Sequence, residues 1–261
     1  MDIEYYKLDP TGNITLIVKT PVPRDKQCEL ARKLMLLDPE AEQVGFIEKA
    51  DSSNAVMRLQ MMGGEFCGNA TVSAASVFAQ ENAIEQGSVC LEISGIDEPM
   101  TVSVKRLAPS EYTGCVSMPL PEAAEYPVLG GYKLPVVRFQ GISHIISDGV
   151  LDFDTAKSHI KMWCQKLGAE ALGVMLIRED ELTPLVYVAA TDTVMRENSC
   201  ASGSTAAAAY FALRDGKSRE YCFSQPGGSL SVRAELENGK ISALILTGRA
   251  KIAGTYATCV L

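Results

Sequence analysis

The sequence lacks an excess of positive charge, a long apolar run and a paired-cysteine motif, and each absence narrows what the chain can be. Lysine and arginine number 24 against 32 aspartates and glutamates, a net charge of −8. Nucleic-acid and anionic-membrane partners call for a basic face, so neither is expected. The start, Met1-Asp2-Ile3-Glu4-Tyr5-Tyr6, has no basic segment followed by an apolar one, which argues against a secretory signal. No apolar run approaches the roughly 20 residues that span a bilayer. A cytoplasmic protein is expected. Histidine is scarce: His144 and His159 are the only two, and neither has a cysteine at zinc-type spacing. There is no C-x-x-C pair either, so a structural zinc site is not expected.

What is present is an ordinary globular composition, 47% hydrophobic and 21% charged, over 261 residues. That length makes one large domain or two modest ones with a substantial core. Eight cysteines in such a chain do not form a disulfide framework, and the default for each is a small buried apolar residue. Two of them stand apart. Cys67 opens Cys67-Gly68-Asn69-Ala70-Thr71 and leads into a helix-like run, Val72 to Gln80. Cys200 opens Cys200-Ala201-Ser202-Gly203-Ser204-Thr205 and leads into an alanine-rich one. Cys67 to Phe78 and Cys200 to Phe211 span the same 11 positions.

The two cysteine segments belong to a longer repeat. Strands are expected at 3–8, 14–19, 44–47 and 55–61, an amphipathic helix over 25–37, and further strands at 88–94, 100–105 and 112–118. Leu120 to Pro127 reads as a connector, and beyond it the order returns. Gly12-Asn13-Ile14-Thr15 corresponds to Gly141-Ile142-Ser143-His144, and the first helix to 155–167. Glu42 to Gly45 corresponds to Glu170 to Gly173, and Cys90 through Gly95 to Cys222 through Gly227. The offsets, 129, 128, 133 and 132, drift only by small insertions. Two homologous α/β halves follow, each with a central helix that opens at a cysteine. A pseudo-two-fold pair of domains would set the two helix starts across an interdomain cleft. Pro226 to Ser229 lacks the lysine of a phosphate loop and reads as a hairpin turn.

A thiol at a helix start has a chemical use. The first turn leaves N–H groups unpaired and carries positive partial charge, which stabilises a thiolate and can hold a carboxylate. It draws the cysteine pKa from about 8.5 toward neutrality. Two such thiols on opposite faces of one carbon make a base and an acid, and together they invert a stereocentre.

On Cys67-Gly68-Asn69, Cys200-Ala201-Ser202-Gly203 and Thr11-Gly12-Asn13 the chain resembles the cofactor-independent amino-acid racemases and epimerases of the diaminopimelate epimerase and proline racemase group. Glu42 to Glu48, Glu65 to Thr71, Glu197 to Cys200 and Gln225 to Ser229 look like the histidine racemase branch, which supplies D-histidine for opine metallophores such as staphylopine. The resemblance implies an α/β (α+β) diaminopimelate epimerase-like fold. Its two pseudo-symmetric domains would each be a mostly antiparallel, barrel-like sheet around a central helix. They would cover residues 1–121 and 122–251, with a last strand at 252–261 returning to the first.

The resemblance further implies Cys67 and Cys200 as the catalytic pair. Asn13, Gln43, Gly68, Asn69, His144, Glu197, Ala201 and Ser202 are implied as substrate-binding residues, with a small amino acid as the partner and no cofactor or metal. The oligomeric state is left open, a homodimer included. Two departures steer the substrate. Gly141-Ile142-Ser143-His144 lacks the asparagine and proline of the family's Gly-Asn-Pro-His motif, and Asn198 stands where diaminopimelate epimerases carry arginine after the glutamate. The expectation is therefore L/D-histidine racemisation. The alternatives are a racemase or epimerase of another amino acid (diaminopimelate-like or proline-like), an isomerase of the phenazine-biosynthesis type, which lacks the cysteine pair, and a non-catalytic amino-acid-binding protein.

Overall fold

The computed structural model describes residues 2–259. The chain divides into two compact units, one running to Ser117 and resuming at Thr247, the other spanning Met118–Leu246. The described residues form four helices, and the remaining regular structure is strand, a mixed α/β fold dominated by sheet.

In the first unit the order is β1 (Asp2–Asp9), β2 (Thr15–Val18), α1 (Arg24–Leu37), β3 (Gln43–Glu48), β4 (Met57–Met61), α2 (Gly68–Glu81), β5 (Gln86–Ile93), β6 (Met100–Ala108) and β7 (Glu111–Ser117). β2 and β3 run parallel, β3 and β4 antiparallel, β4 and β5 parallel, and β5, β6 and β7 antiparallel. Helix α1 is amphipathic. Gln27, Leu30, Ala31 and Leu34 form its buried stripe, and the last three pack with Leu16, Val18, Val44 and Phe46. Helix α2 is buried along nearly its whole length, which its run of alanine, valine, serine and threonine permits. All four residues of β2 are buried in turn, as expected for a strand covered on both faces.

The second unit begins with three short strands, β8 (Ala123–Glu125), β9 (Val128–Leu129) and β10 (Tyr132–Lys133). It continues with β11 (Val136–Phe139), β12 (Ile142–Asp148), α3 (Phe153–Leu167), β13 (Ala171–Arg178), β14 (Glu181–Val188), β15 (Thr193–Arg196), α4 (Ala201–Asp215), β16 (Arg219–Gln225) and β17 (Gly228–Glu237). The pairing pattern of the first unit recurs: β12 and β13 parallel, β13 and β14 antiparallel, β14 and β16 parallel, β16 and β17 antiparallel. Helix α3 packs Ala156, Ile160 and Trp163 on Val136, Ile145, Leu172 and Val174, the counterpart of α1. Helix α4 is the counterpart of α2, with ten of its residues buried. The last strand, β18 (Lys240–Cys259), ends in the first unit, where it pairs antiparallel with β1 from Asp2↔Cys259 to Asp9↔Lys251.

Three details depart from the sequence reading. The connector at 120–127 contains a strand, because Ala123–Glu125 pairs with β11 along the backbone and through the Arg138–Glu125 ion pair, while three residues are too few to show a strand alternation. The hairpin expected at 226–229 is present but tighter, turning on Pro226-Gly227 with Gly228 and Ser229 already in β17, since Gln225 pairs with Gly228. The repeat slides by two residues at its first strands. Thr15 pairs with Leu8, and its structural counterpart Ile142 pairs with Phe139. The link between β1 and β2 takes residues 10–14, whereas only Gln140-Gly141 joins β11 to β12, so matching the turn glycines misaligns the strands behind them.

Candidate active site

In the first unit Cys67 is the N-cap of α2. Its backbone is extended (φ −134°, ψ 112°), and its Sγ accepts the Ala70 N–H at 3.4 Å. A cysteine in this position takes the place of the serine or aspartate that usually closes a helix start. The Thr71 hydroxyl donates to the Cys67 carbonyl at 2.7 Å. The Cys67 thiol donates to Gln43 Oε1 at 3.1 Å, while Gln43 Nε2 donates to Asn13 Oδ1 at 2.6 Å and Thr15 Oγ1 at 2.8 Å. Asn69 Nδ2 reaches the same Asn13 oxygen at 3.2 Å, and Asn13 Nδ2 donates to the Glu42 carboxylate. Four expected residues, Asn13, Gln43, Cys67 and Asn69, thus form one network, with Gly68 buried between the last two.

The segment entering Cys67 is clasped from behind. Ser94 accepts the Met61 N–H at 2.9 Å and donates to the Glu65 carbonyl at 2.8 Å. Gly95 has φ +76°, and a Cβ there would stand 2.6 Å from the Phe66 nitrogen. Only glycine suits both the backbone angle and the contact.

In the second unit Cys200 is the N-cap residue of α4, with φ −129° and ψ 106°, but its side chain makes no capping bond. Its backbone N–H donates to Gln225 Oε1 at 2.9 Å. Gln225 Nε2 donates to Ser204 Oγ at 3.0 Å, and Ser204 donates to the Cys200 carbonyl at 2.8 Å. Ser204 repeats Thr71 at the matching offset from its cysteine. The Gly227 N–H holds the Asn198 carbonyl at 2.8 Å, as Ser94 holds that of Glu65, each two residues ahead of a cysteine.

The two thiols meet different surroundings. Cys67 is partly exposed, whereas Cys200 is only 6% exposed. Burial pushes the Cys200 thiol well above its ordinary pKa, and the neighbouring Glu197 carboxylate, which it also hydrogen-bonds, pushes it further. Ser202 Oγ stands 3.6 Å from Cys200 Sγ. Gly203 is needed for space, because a Cβ there would run into Met175 Sδ and lie 3.2 Å from Cys200 Sγ.

Of the expected residues in this unit, Glu197, Cys200, Ala201 and Ser202 are together at the start of α4. His144 is on β12, wholly buried, with its ring edge toward Phe139 at a centroid distance of 6.1 Å. Neither ring nitrogen has a hydrogen-bond partner among the described residues. Burial alone lowers its pKa to about 3, so the ring is neutral. By strand register it pairs with Gly173 as Ile17 pairs with Gly45, which makes its structural counterpart a core position.

Thr15, Glu42, Ser204 and Gln225 take part in these networks and were absent from the sequence-based set. Glu42 and Gln225 do fall within the stretches that look like the histidine racemase branch. Thr15 carried no signal beyond its nearness to Asn13, and Ser204 only that of a short polar residue in the first turn after Cys200. A groove at the start of α3, lined by Phe153, Arg178, Glu181 and Arg196, contains none of the expected residues. Among the described residues no cluster of three or more His, Cys, Asp or Glu side chains could hold a metal, and no helix is long and apolar enough to cross a membrane.

Comparison with known proteins agrees with this architecture. A histidine racemase of Fusobacterium nucleatum is 35% identical over 219 residues, covering 80% of this chain and 81% of its own. A histidine racemase of Staphylococcus aureus is 26% identical over 253 residues, covering 89% of each. In fold, the chain is similar to a predicted epimerase of Pseudomonas aeruginosa, with a TM-score of 0.75 at 13% identity over 99% of this chain and 100% of that one. The model of the histidine racemase CntK N-terminal domain matches residues 2–256. The chain therefore belongs to that family, and it is an isomerase, an amino-acid racemase.

Proposed function

We propose that the chain interconverts L- and D-histidine without a cofactor, by proton transfer between the α-carbon and the thiols of Cys67 and Cys200. One observation carries this reading: each half of the repeat presents a cysteine at the start of its central helix, and each thiol has a hydrogen-bond acceptor beside it. For Cys67 the acceptor is Gln43 Oε1, and for Cys200 it is Glu197. The choice of histidine rests on the relatives of that name in Fusobacterium nucleatum and Staphylococcus aureus.

In the proposed reaction one cysteine, as thiolate, takes the α-proton. The C–H bond breaks, an S–H bond forms, and the electron pair stays on the α-carbon, delocalised into the substrate carboxylate. The other cysteine, as thiol, delivers its proton to the opposite face, and the configuration inverts. After turnover the two cysteines have exchanged protonation states, so either enantiomer can be the substrate. The positive first turns of α2 and α4, through Gly68, Asn69, Ala201 and Ser202, would hold the carboxylate that stabilises the carbanion. Asn13, Gln43, His144 and Glu197 complete the proposed contacts. His144 would enter as a neutral ring.

The two units correspond in this reading to the two barrel-like epimerase halves, with β18 returning to the first. We keep a cytoplasmic location and a role in supplying D-histidine for a metallophore as parts of the same proposal. Substitution tests it. Cys67→Ser and Cys200→Ser should each lower racemisation of L-histidine, followed by chiral chromatography, by roughly 10²- to 10⁴-fold, the usual contribution of one acid–base group. Either variant racemising at the rate of the parent chain would remove the two-thiol mechanism.

A further inference from the structure

The two cysteines begin their helices by different means. Cys67 closes the first turn of α2 with its own sulfur, through the Ala70 N–H, and the Thr71 hydroxyl holds its carbonyl. Cys200 has the second of these bonds, from Ser204, while its sulfur lies near the Gly203 N–H without closing a cap bond like that of Cys67 to Ala70. In its place a ring of three hydrogen bonds surrounds the Cys200 backbone. Cys200 N–H donates to Gln225 Oε1, Gln225 Nε2 to Ser204 Oγ, and the Ser204 hydroxyl to the Cys200 carbonyl, at 2.9, 3.0 and 2.8 Å. All three residues are buried. With Nε2 committed to Ser204, the Gln225 carbonyl is turned toward Cys200 and cannot flip without losing both bonds. Both backbone groups of the cysteine are thus held by side chains.

We propose that Gln225 is a positioning residue for Cys200: together with Ser204 it fixes the cysteine backbone and with it the place of the thiol that exchanges a proton with the substrate. This rests on the two-thiol reading above. In the first unit the residue matching Gln225 at an offset of 132 is the apolar core residue Ile93, and there the sulfur itself closes the helix. Gln225 touches neither Sγ nor, in this proposal, the substrate. Its effect passes through the placement of one sulfur atom.

The test is made on the full chain with Gln225→Leu, Ser204→Ala and Ser204→Thr. The last keeps the hydroxyl, as Thr71 does in the first unit. Two rates are read in D2O: inversion of histidine, and deuterium entry at the α-carbon of each enantiomer without inversion. A misplaced Cys200 spoils inversion, which needs both thiols, but spares exchange of the enantiomer whose α-proton faces Cys67, which needs one. Gln225→Leu and Ser204→Ala should lower inversion roughly 10- to 100-fold, the cost of a small misplacement of a reacting group, while exchange of one enantiomer stays within about threefold. Ser204→Thr should restore inversion. The proposal is overturned if inversion is unchanged in Gln225→Leu, or if exchange of both enantiomers falls in step with inversion in protein that remains folded by circular dichroism. Inversion that survives Cys200→Ser would instead remove the underlying two-thiol reading.

Discussion

Cys67 and Cys200 are the same residue in the same motif, yet a neutral amide faces one thiol and a carboxylate the other. At Cys200, burial and the Glu197 charge act in the same direction, and both disfavour the thiolate. Alkylation by iodoacetamide, read by peptide mapping, should therefore reach its half-maximal rate at Cys200 only above the ordinary thiol range. Glu197→Gln removes the charge and should move that midpoint to lower pH, and an unmoved midpoint would show that Glu197 does not act on the thiol.

His144 gives a second test, of stability. Its folded pKa, about 3, lies below the ordinary value of 6.5. As pH falls from 6.5 toward 3 the unfolded chain binds a proton that the folded chain refuses, so stability drops by roughly 1.4 kcal/mol per pH unit in that window. In urea unfolding at pH 7 and pH 5, His144→Leu should lose about 2 kcal/mol less than the parent chain between the two conditions. Equal losses would mean that the folded site accepts the proton. Both cysteines were legible in the sequence because the motif is doubled. The core role of His144 was not, because turn glycines aligned it with the polar Thr15 of the Cys67 network and only strand register matches it to the apolar Ile17.

Among the elements, the two central helices were the most legible, since each begins at its cysteine and runs through small residues without a break. What holds their starts was illegible. Ser94 and Gly95 follow β5 at a sequence distance of nearly thirty residues from Glu65 and Phe66, and no local pattern joins them. Gly203 could be read as a helix residue but not as the space that Met175 occupies. The consequence is measurable. Ser94→Ala leaves the Met61 N–H and the Glu65 carbonyl without this partner and should cost about 1–3 kcal/mol. Gly203→Ala should cost at least as much, because the new methyl can be placed only by moving the Met175 thioether or the Cys200 thiol. Thermal unfolding should show both losses, at roughly 2–4 °C per kcal/mol for a chain of this size. A Gly203→Ala protein with full stability and full activity would contradict the packing described around Cys200.

For the whole molecule, the repeat read from four offsets has a physical counterpart in the pairing pattern. Parallel, antiparallel, parallel and antiparallel steps occur in the same order in both units. Such an order survives sequence drift because each step is set by backbone pairing and by the two faces a strand buries, not by particular side chains. The small strands β8, β9, β10 and β15 fall outside the repeat as read from sequence, and they were missed for the same reason: too few residues to show an alternation. The family follows from the chain as a whole, but the chemistry still turns on one carbon and two sulfurs. The most direct test is incubation of the intact protein with L-histidine in D2O. The account predicts D-histidine carrying deuterium at the α-carbon, formed without added cofactor and abolished by either cysteine substitution. D-histidine that retains the original α-hydrogen, or no exchange with histidine at all, would contradict it.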